Sequence, residues 1–133
     1  MEGEKNAGIQ FFEGIKAGFP SPAQDCFESG IDLNRVLVKN PSSTFMARVS
    51  GDSMQDAGIR DGDILIIDKS IEPRNGAIAV CYVDGEFTLK TIKKDGDIIW
   101  LVPANVNYKP LKVTAKNDFM IWGMVTYTIA KRF

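Results

Sequence analysis

Asp84-Gly85 constrains the fold of this chain more than any other pair of residues. It separates two runs of strand character, Ala-Ile-Ala-Val-Cys-Tyr-Val over 77–83 and Glu-Phe-Thr-Leu-Lys-Thr-Ile over 86–92. Asp-Gly is a two-residue hairpin signal, because a turn matching the strand twist needs positive φ at both positions. The chain is therefore expected to double back here as an antiparallel pair. Other strands follow from the same kind of reading. Ile64–Asp68 is a short, nearly continuous apolar run, as in a buried strand. Thr44–Val49, Ile98–Val102 and a brief Leu111–Thr114 read as further strands. Phe119–Ile129, rich in β-branched and aromatic residues, reads as a long core strand. Pro73-Arg74-Asn75-Gly76 and Lys93-Lys94-Asp95-Gly96-Asp97 read as turns. Asp25–Glu28 is expected as a helical turn. Asp32 is an N-cap for a short packing helix, with Leu33 and Leu37 one turn apart and Pro41 ending it. The fold class is mostly β: one domain of antiparallel strands with short helical turns and an N-terminal arm.

Composition narrows the chemistry. The 133 residues suit a single domain with a real core. The formal net charge of −1, with no run of Lys and Arg, argues against direct sequence-specific DNA binding. No apolar stretch approaches membrane-spanning length and the N-terminus lacks a signal-peptide core, so a cytoplasmic protein is expected. Two cysteines, Cys26 and Cys81, and no histidine make a zinc site improbable. The acidic residues of Ala57–Asp63 fail the spacing of a calcium loop and lack a distal Glu. No cofactor and no metal are expected.

The candidate chemistry lies at Val49-Ser50-Gly51-Asp52-Ser53-Met54. Gly51 permits a sharp bend after the strand, and Ser53 sits at the start of a helical turn, where free N–H groups can stabilise an oxyanion. The ordinary alternative is a turn serine. A serine nucleophile needs a base, and without histidine the remaining common one is a lysine held neutral by burial. Lys90, in the strand after the hairpin, shares a face with Thr88 and Ile92, opposite Phe87, Leu89 and Thr91. Periodicity alone favours a plainer reading of Lys90, a surface lysine guarding an edge strand. Asp52 and Met54 read as turn and packing residues.

The first 17 residues form a distinct segment. Ile9, Phe11, Phe12 and Ile15 are apolar and are expected to dock on the chain's own body or on a partner. Ala17-Gly18-Phe19-Pro20-Ser21-Pro22 follows and reads as extended, since Pro20 and Pro22 oppose helix.

Ser50-Gly51-Asp52-Ser53-Met54, then Asp61-Gly62-Asp63-Ile64-Leu65-Ile66-Ile67-Asp68, then Asp84-Gly85-Glu86-Phe87-Thr88-Leu89-Lys90 fall in the order of the LexA/UmuD family of self-cleaving Ser-Lys proteins. From Gly18 to its C-terminus the chain resembles that family, above all the UmuD branch, accessory subunits of error-prone DNA polymerases. The resemblance implies a LexA/signal-peptidase-like β domain, Ser53 as nucleophile and Lys90 as general base. It implies a scissile bond between Ala17 and Gly18, with Ile15 at the family's apolar position. The division would then be a cleavable arm, 1–17, and a peptidase-like domain, 18–133. It also implies a Pro-x-Asn segment, here Pro103-Ala104-Asn105, shaping the cleft floor, and a C-terminal strand contributing to a homodimer. RecA filaments on single-stranded DNA would stimulate cleavage in the SOS response, and the trimmed dimer would join the catalytic subunit of a Y-family polymerase. Seventeen residues are too few for a helix-turn-helix, so a repressor is not expected. Two other classes stand beside this one: a signal-peptidase-like enzyme acting on other chains, and a non-catalytic β-rich interaction module.

Overall fold

The computed structural model describes residues 9–12, 14 and 27–133. The chain divides into two compact units, Met1–Lys39 and Asn40–Phe133. The expected boundary and scissile bond at Ala17-Gly18 lie outside the described residues, as do Ile15 and Cys26.

In the first unit, β1 (Ile9–Phe12) pairs antiparallel with β2 (Phe27–Ile31). Ile9 stands opposite Ile31 and Phe12 opposite Phe27, with an irregularity between Ile9 and Phe11. The apolar stretch of the arm thus has a backbone partner within its own unit. The helical turn expected over Asp25–Glu28 is overturned at Phe27 and Glu28, which belong to β2: strand pairing outweighs a weak local preference there. Helix α1 (Leu33–Leu37) forms as expected, with the Asp32 carboxylate accepting from Asn34 N–H at 3.0 Å. It is not the packing helix expected, because none of its residues is buried and Leu33 and Val36 are exposed.

The second unit is a seven-stranded antiparallel sheet. Its strands are β3 (Thr44–Arg48), β4 (Ile64–Asp68), β5 (Ile78–Val83), β6 (Glu86–Asp95), β7 (Ile98–Val102), β8 (Leu111–Val113) and β9 (Phe119–Ile129). Their order across the sheet is β3-β4-β9-β5-β6-β7-β8. The Asp84-Gly85 hairpin forms, with φ of 47° and 92° at its two turn residues. Lys93 and Lys94 continue β6 and pair with Trp100 and Ile99, so the turn expected at 93–97 tightens to the Asp95–Ile98 end.

Two apolar clusters flank the sheet. One holds Ala79, Cys81, Ile92, Leu101 and Met124; the other holds Met54, Ile59, Leu65 and Ile67. The long strand β9 feeds both, and its pairing shifts against Val80/Cys81 of β5, between Ile121 and Gly123, with a second shift against Ile66/Ile67 of β4 beyond Val125. The first of these reverses the alternation of side chains. Ile121 and Met124 therefore share the first cluster, while Trp122 and Val125 share the second. Gly123 lies between them, where a Cβ would stand 2.6 Å from Ile67 Cγ2, so only glycine fits without a shift. At the far end of β4 the buried Asp68 carboxylate accepts from Asn40 Nδ2, Ser43 Oγ, Ser70 N–H and Ser70 Oγ at 2.7–2.9 Å. These donors hold it well below the usual carboxylate range, led by Asn40 and Ser70.

Candidate active site

Ser53 is placed by a turn that the sheet alone does not shape. The chain leaves β3, passes Gly51 at φ 98° and enters a 3-10 turn over Gln55–Ala57. Gly51 N–H donates to Asp61 Oδ1 at 2.8 Å. Met54 is buried in the second apolar cluster and anchors the turn from below. The loop after β7 braces it further. Ala104 N–H donates to the Ser53 carbonyl at 2.8 Å, and Asp56 N–H to the Ala104 carbonyl at 2.7 Å. Asn105 Nδ2 donates to the Asp52 carbonyl at 2.9 Å, and Tyr108 OH to Asp52 Oδ1 at 2.5 Å. The Asp52 carboxylate is thus engaged by Tyr108, whose own ionisation it pushes up. Asp52 and Met54 hold the turn and packing roles expected of them.

Lys90 is placed by register. It lies in β6 opposite Ala79 of β5, and β6 has β5 on one side and β7 on the other. The surface-lysine reading of Lys90 is overturned by its half-buried position and its amine's turn toward Ser53, although β7 pairs with β6 only over Thr91–Asp95 and the ladder partner at Lys90 itself is β5. As alternation predicts, Thr88, Lys90 and the fully buried Ile92 share a face. Lys90 Nζ stands 3.1 Å from Ser53 Oγ and 2.6 Å from Thr88 Oγ1. The two residues singled out from the sequence, 37 positions apart, are brought into hydrogen-bond contact.

The electrostatics suit a neutral amine. Lys90 is half-buried, and desolvation pushes its ammonium below the ordinary lysine value, with a smaller opposing pull from Cys81. Cys81 is fully buried, and desolvation pushes its thiol up to about 11, so it stays uncharged at neutral pH. Among the described residues, the side-chain bonds of Lys90 go to two hydroxyls and to no carboxylate. A neutral amine has one lone pair. With an N–H directed to Thr88, that lone pair is free to accept the Ser53 proton. Thr88 was legible only as a same-face neighbour; its bond to Lys90 follows from the i, i+2 spacing.

Both groups open into a cleft of about 390 Å³. Its walls include Val49, Leu65, Val80, Phe87 and Leu89. Strand β3 contributes Ala47 and Arg48 to the rim and has one strand partner, β4, leaving its outer edge open among the described residues. Among those residues there is no group of three or more side chains able to hold a metal ion, and no helix is long and apolar enough to cross a membrane.

Comparison with known proteins shows the family. Residues 10–126 match the Peptidase S24-like family model. Protein SamA of Salmonella typhimurium is 40% identical over 121 residues, covering 91% of this chain and 84% of that protein. Protein MucA of Escherichia coli is 37% identical over 120 residues, covering 90% and 82%. Protein ImpA of Shigella flexneri is 44% identical over 82 residues, covering 62% and 57%. The chain belongs to the Peptidase S24-like family, the LexA/UmuD-like serine peptidases.

Proposed function

We propose that this is a UmuD-like protein of SOS mutagenesis that cuts its own Ala17–Gly18 bond with Ser53 and Lys90. The observation that carries the reading is the 3.1 Å contact between Ser53 Oγ and Lys90 Nζ inside an apolar-walled cleft. The neutral Lys90 amine takes the Ser53 proton as Oγ attacks the Ala17 carbonyl carbon. The tetrahedral oxyanion collapses, the Ala17–Gly18 C–N bond breaks, and Lys90 returns the proton to the Gly18 amine. Water, activated by Lys90, then hydrolyses the ester between Ala17 and Ser53. The small Ala17 and the apolar Ile15 suit the cleft walls, and the open edge of β3 suits an extended segment added as a strand. On this reading residues 1–17 are the cleavable arm and 18–133 the domain that remains. The trimmed chain acts as a homodimer, with a RecA filament on single-stranded DNA as stimulator of cleavage and the catalytic subunit of a Y-family polymerase as partner. Family membership and the relatives support this role.

The test is intact-mass analysis of purified protein at neutral pH and at about pH 10, where an ordinary lysine begins to lose its proton. Wild type should yield a fragment beginning at Gly18, faster at high pH. Ser53→Ala and Lys90→Ala should stay whole. A wild type that stays whole even with RecA filaments and nucleotide would leave an interaction module with a turn serine.

A further inference from the structure

The loop after β7 does more than fill space beneath the nucleophile turn. Two of its bonds to the turn fall on the two peptide planes that flank Ser53. Asn105 Nδ2 holds the Asp52 carbonyl at 2.9 Å, and Ala104 N–H holds the Ser53 carbonyl at 2.8 Å. Gln55 N–H also reaches the Asp52 carbonyl, at a longer 3.2 Å. No peptide bond among the described residues is cis. A trans peptide directs its N–H opposite to its carbonyl. With the Asp52 carbonyl turned toward Asn105, the Ser53 N–H is turned away from it. Among the described residues no acceptor meets that N–H. It is a free donor on the residue whose Oγ touches Lys90, in the wall of the cleft.

Asn105 is itself built for one orientation. It is 5% exposed, and its amide is used at both ends: Nδ2 on the Asp52 carbonyl, and Oδ1 accepting from Asn107 N–H at 2.9 Å. A buried amide with both ends bonded cannot flip without losing both bonds; the Asp52 carbonyl would keep only the longer bond from Gln55 N–H, and Asn107 N–H would lose its acceptor. The remaining side-chain contact to Asp52, from Tyr108, goes to its carboxylate and does not fix the peptide plane.

We infer that Asn105 is a positioning residue for self-cleavage: it locks the Asp52–Ser53 peptide so that the Ser53 N–H faces the developing oxyanion. The inference rests on the self-cleavage reading and adds a residue to it. Donors fixed in advance at the site of developing charge need no reorganisation during reaction, and losing one costs about a hundred- to a thousandfold in rate. Loosening a donor costs less than deleting it.

The experiment follows self-cleavage of the full chain by intact mass across pH, for wild type, Asn105→Ala and Asn105→Asp, with thermal unfolding of each. Asn105→Asp keeps the side-chain shape and the acceptor for Asn107 N–H but has no donor for the Asp52 carbonyl. Both variants are expected to fold and to cut about ten- to a hundredfold more slowly at the high-pH plateau. The pH midpoint of Asn105→Ala should match wild type, because Lys90 is untouched. Wild-type rates in either folded variant would overturn the inference. So would a slow Asn105→Ala whose plateau is normal and whose midpoint has moved, since Asn105 would then act through Lys90. If both variants fail to fold, Asn105 is a structural residue and the positioning role falls. A wild type that never yields the Gly18 product, with or without RecA filaments, defeats the self-cleavage reading and this inference with it. A cutting wild type beside equally fast Asn105 variants defeats this inference alone.

Discussion

Lys90 and Ser53 meet in one cleft but are held there by different means. Lys90 sits inside β6, paired with Ala79 of β5, and its position follows from that ladder. Ser53 sits on a turn, and its position depends on contacts from elsewhere in the chain: Asp61 reaches Gly51, Asn105 reaches the Asp52 carbonyl, and Tyr108 reaches the Asp52 carboxylate. A ladder moves only if the sheet is disturbed. A turn held by separate bonds can be loosened one bond at a time. Changes beside the base should therefore act mainly on its protonation, and changes beside the nucleophile mainly on geometry.

The sharpest way to break this contrast is Lys90→Met, which keeps the length and loses the amine. Self-cleavage should fall by about a thousandfold or more at every pH, measured by intact mass, while the thermal melt stays close to wild type. Thr88→Val comes next, removing only the hydroxyl 2.6 Å from Lys90 Nζ. The plateau rate should drop about tenfold, and the pH midpoint should move down, because a hydroxyl accepting from the ammonium favours its charged form. A midpoint that rises would mean Thr88 is not an acceptor for the charged amine. On the nucleophile side, Tyr108→Phe removes one bond to the Asp52 side chain and leaves the backbone brace intact. One hydrogen bond is worth about 1 kcal/mol, so the rate should fall by no more than about fivefold, with the midpoint unchanged.

The smallest effect concerns stability. Lys90 binds its proton less tightly in the folded protein than an ordinary lysine does. Between that lowered value and the unfolded value of about 10.4, the unfolded chain holds more protons, so folding stability gained from Lys90 rises with pH. Denaturant unfolding of wild type minus Lys90→Met should show this rise in that alkaline window and nowhere below it.

The same contrast explains what the sequence made legible. Strands β4, β7 and β9 match the apolar runs read from the sequence, and the Asp84-Gly85 turn carries Lys90 into β6, because these signals are local. The burial of Lys90 was missed because its partner Ser53 lies 37 residues away, and no single stretch encodes the pairing of β7 with Thr91–Asp95 of β6. Lys93 and Lys94 read as turn residues but extend the strand for the same reason. Leu33 and Leu37 gave α1 its helix signal without giving it anything to bury. The Asp68 hub and the Asn105 and Tyr108 contacts lay furthest from view. Asn105 and Tyr108 bond to Asp52 across 53 and 56 residues, and a polar side chain carries no mark of so distant a partner. The Pro103-Ala104-Asn105 segment was legible only through family resemblance.

The central claim is that Lys90 acts as a neutral base on Ser53. It is tested most directly by the pH dependence of wild-type self-cleavage, set beside the titration of the Lys90 side chain followed by NMR in Ser53→Ala. The account predicts a product beginning at Gly18, with one midpoint for both curves, lying below the ordinary lysine value of about 10.4. A cleavage midpoint at or above that value, or one that departs from the Lys90 titration, would contradict it.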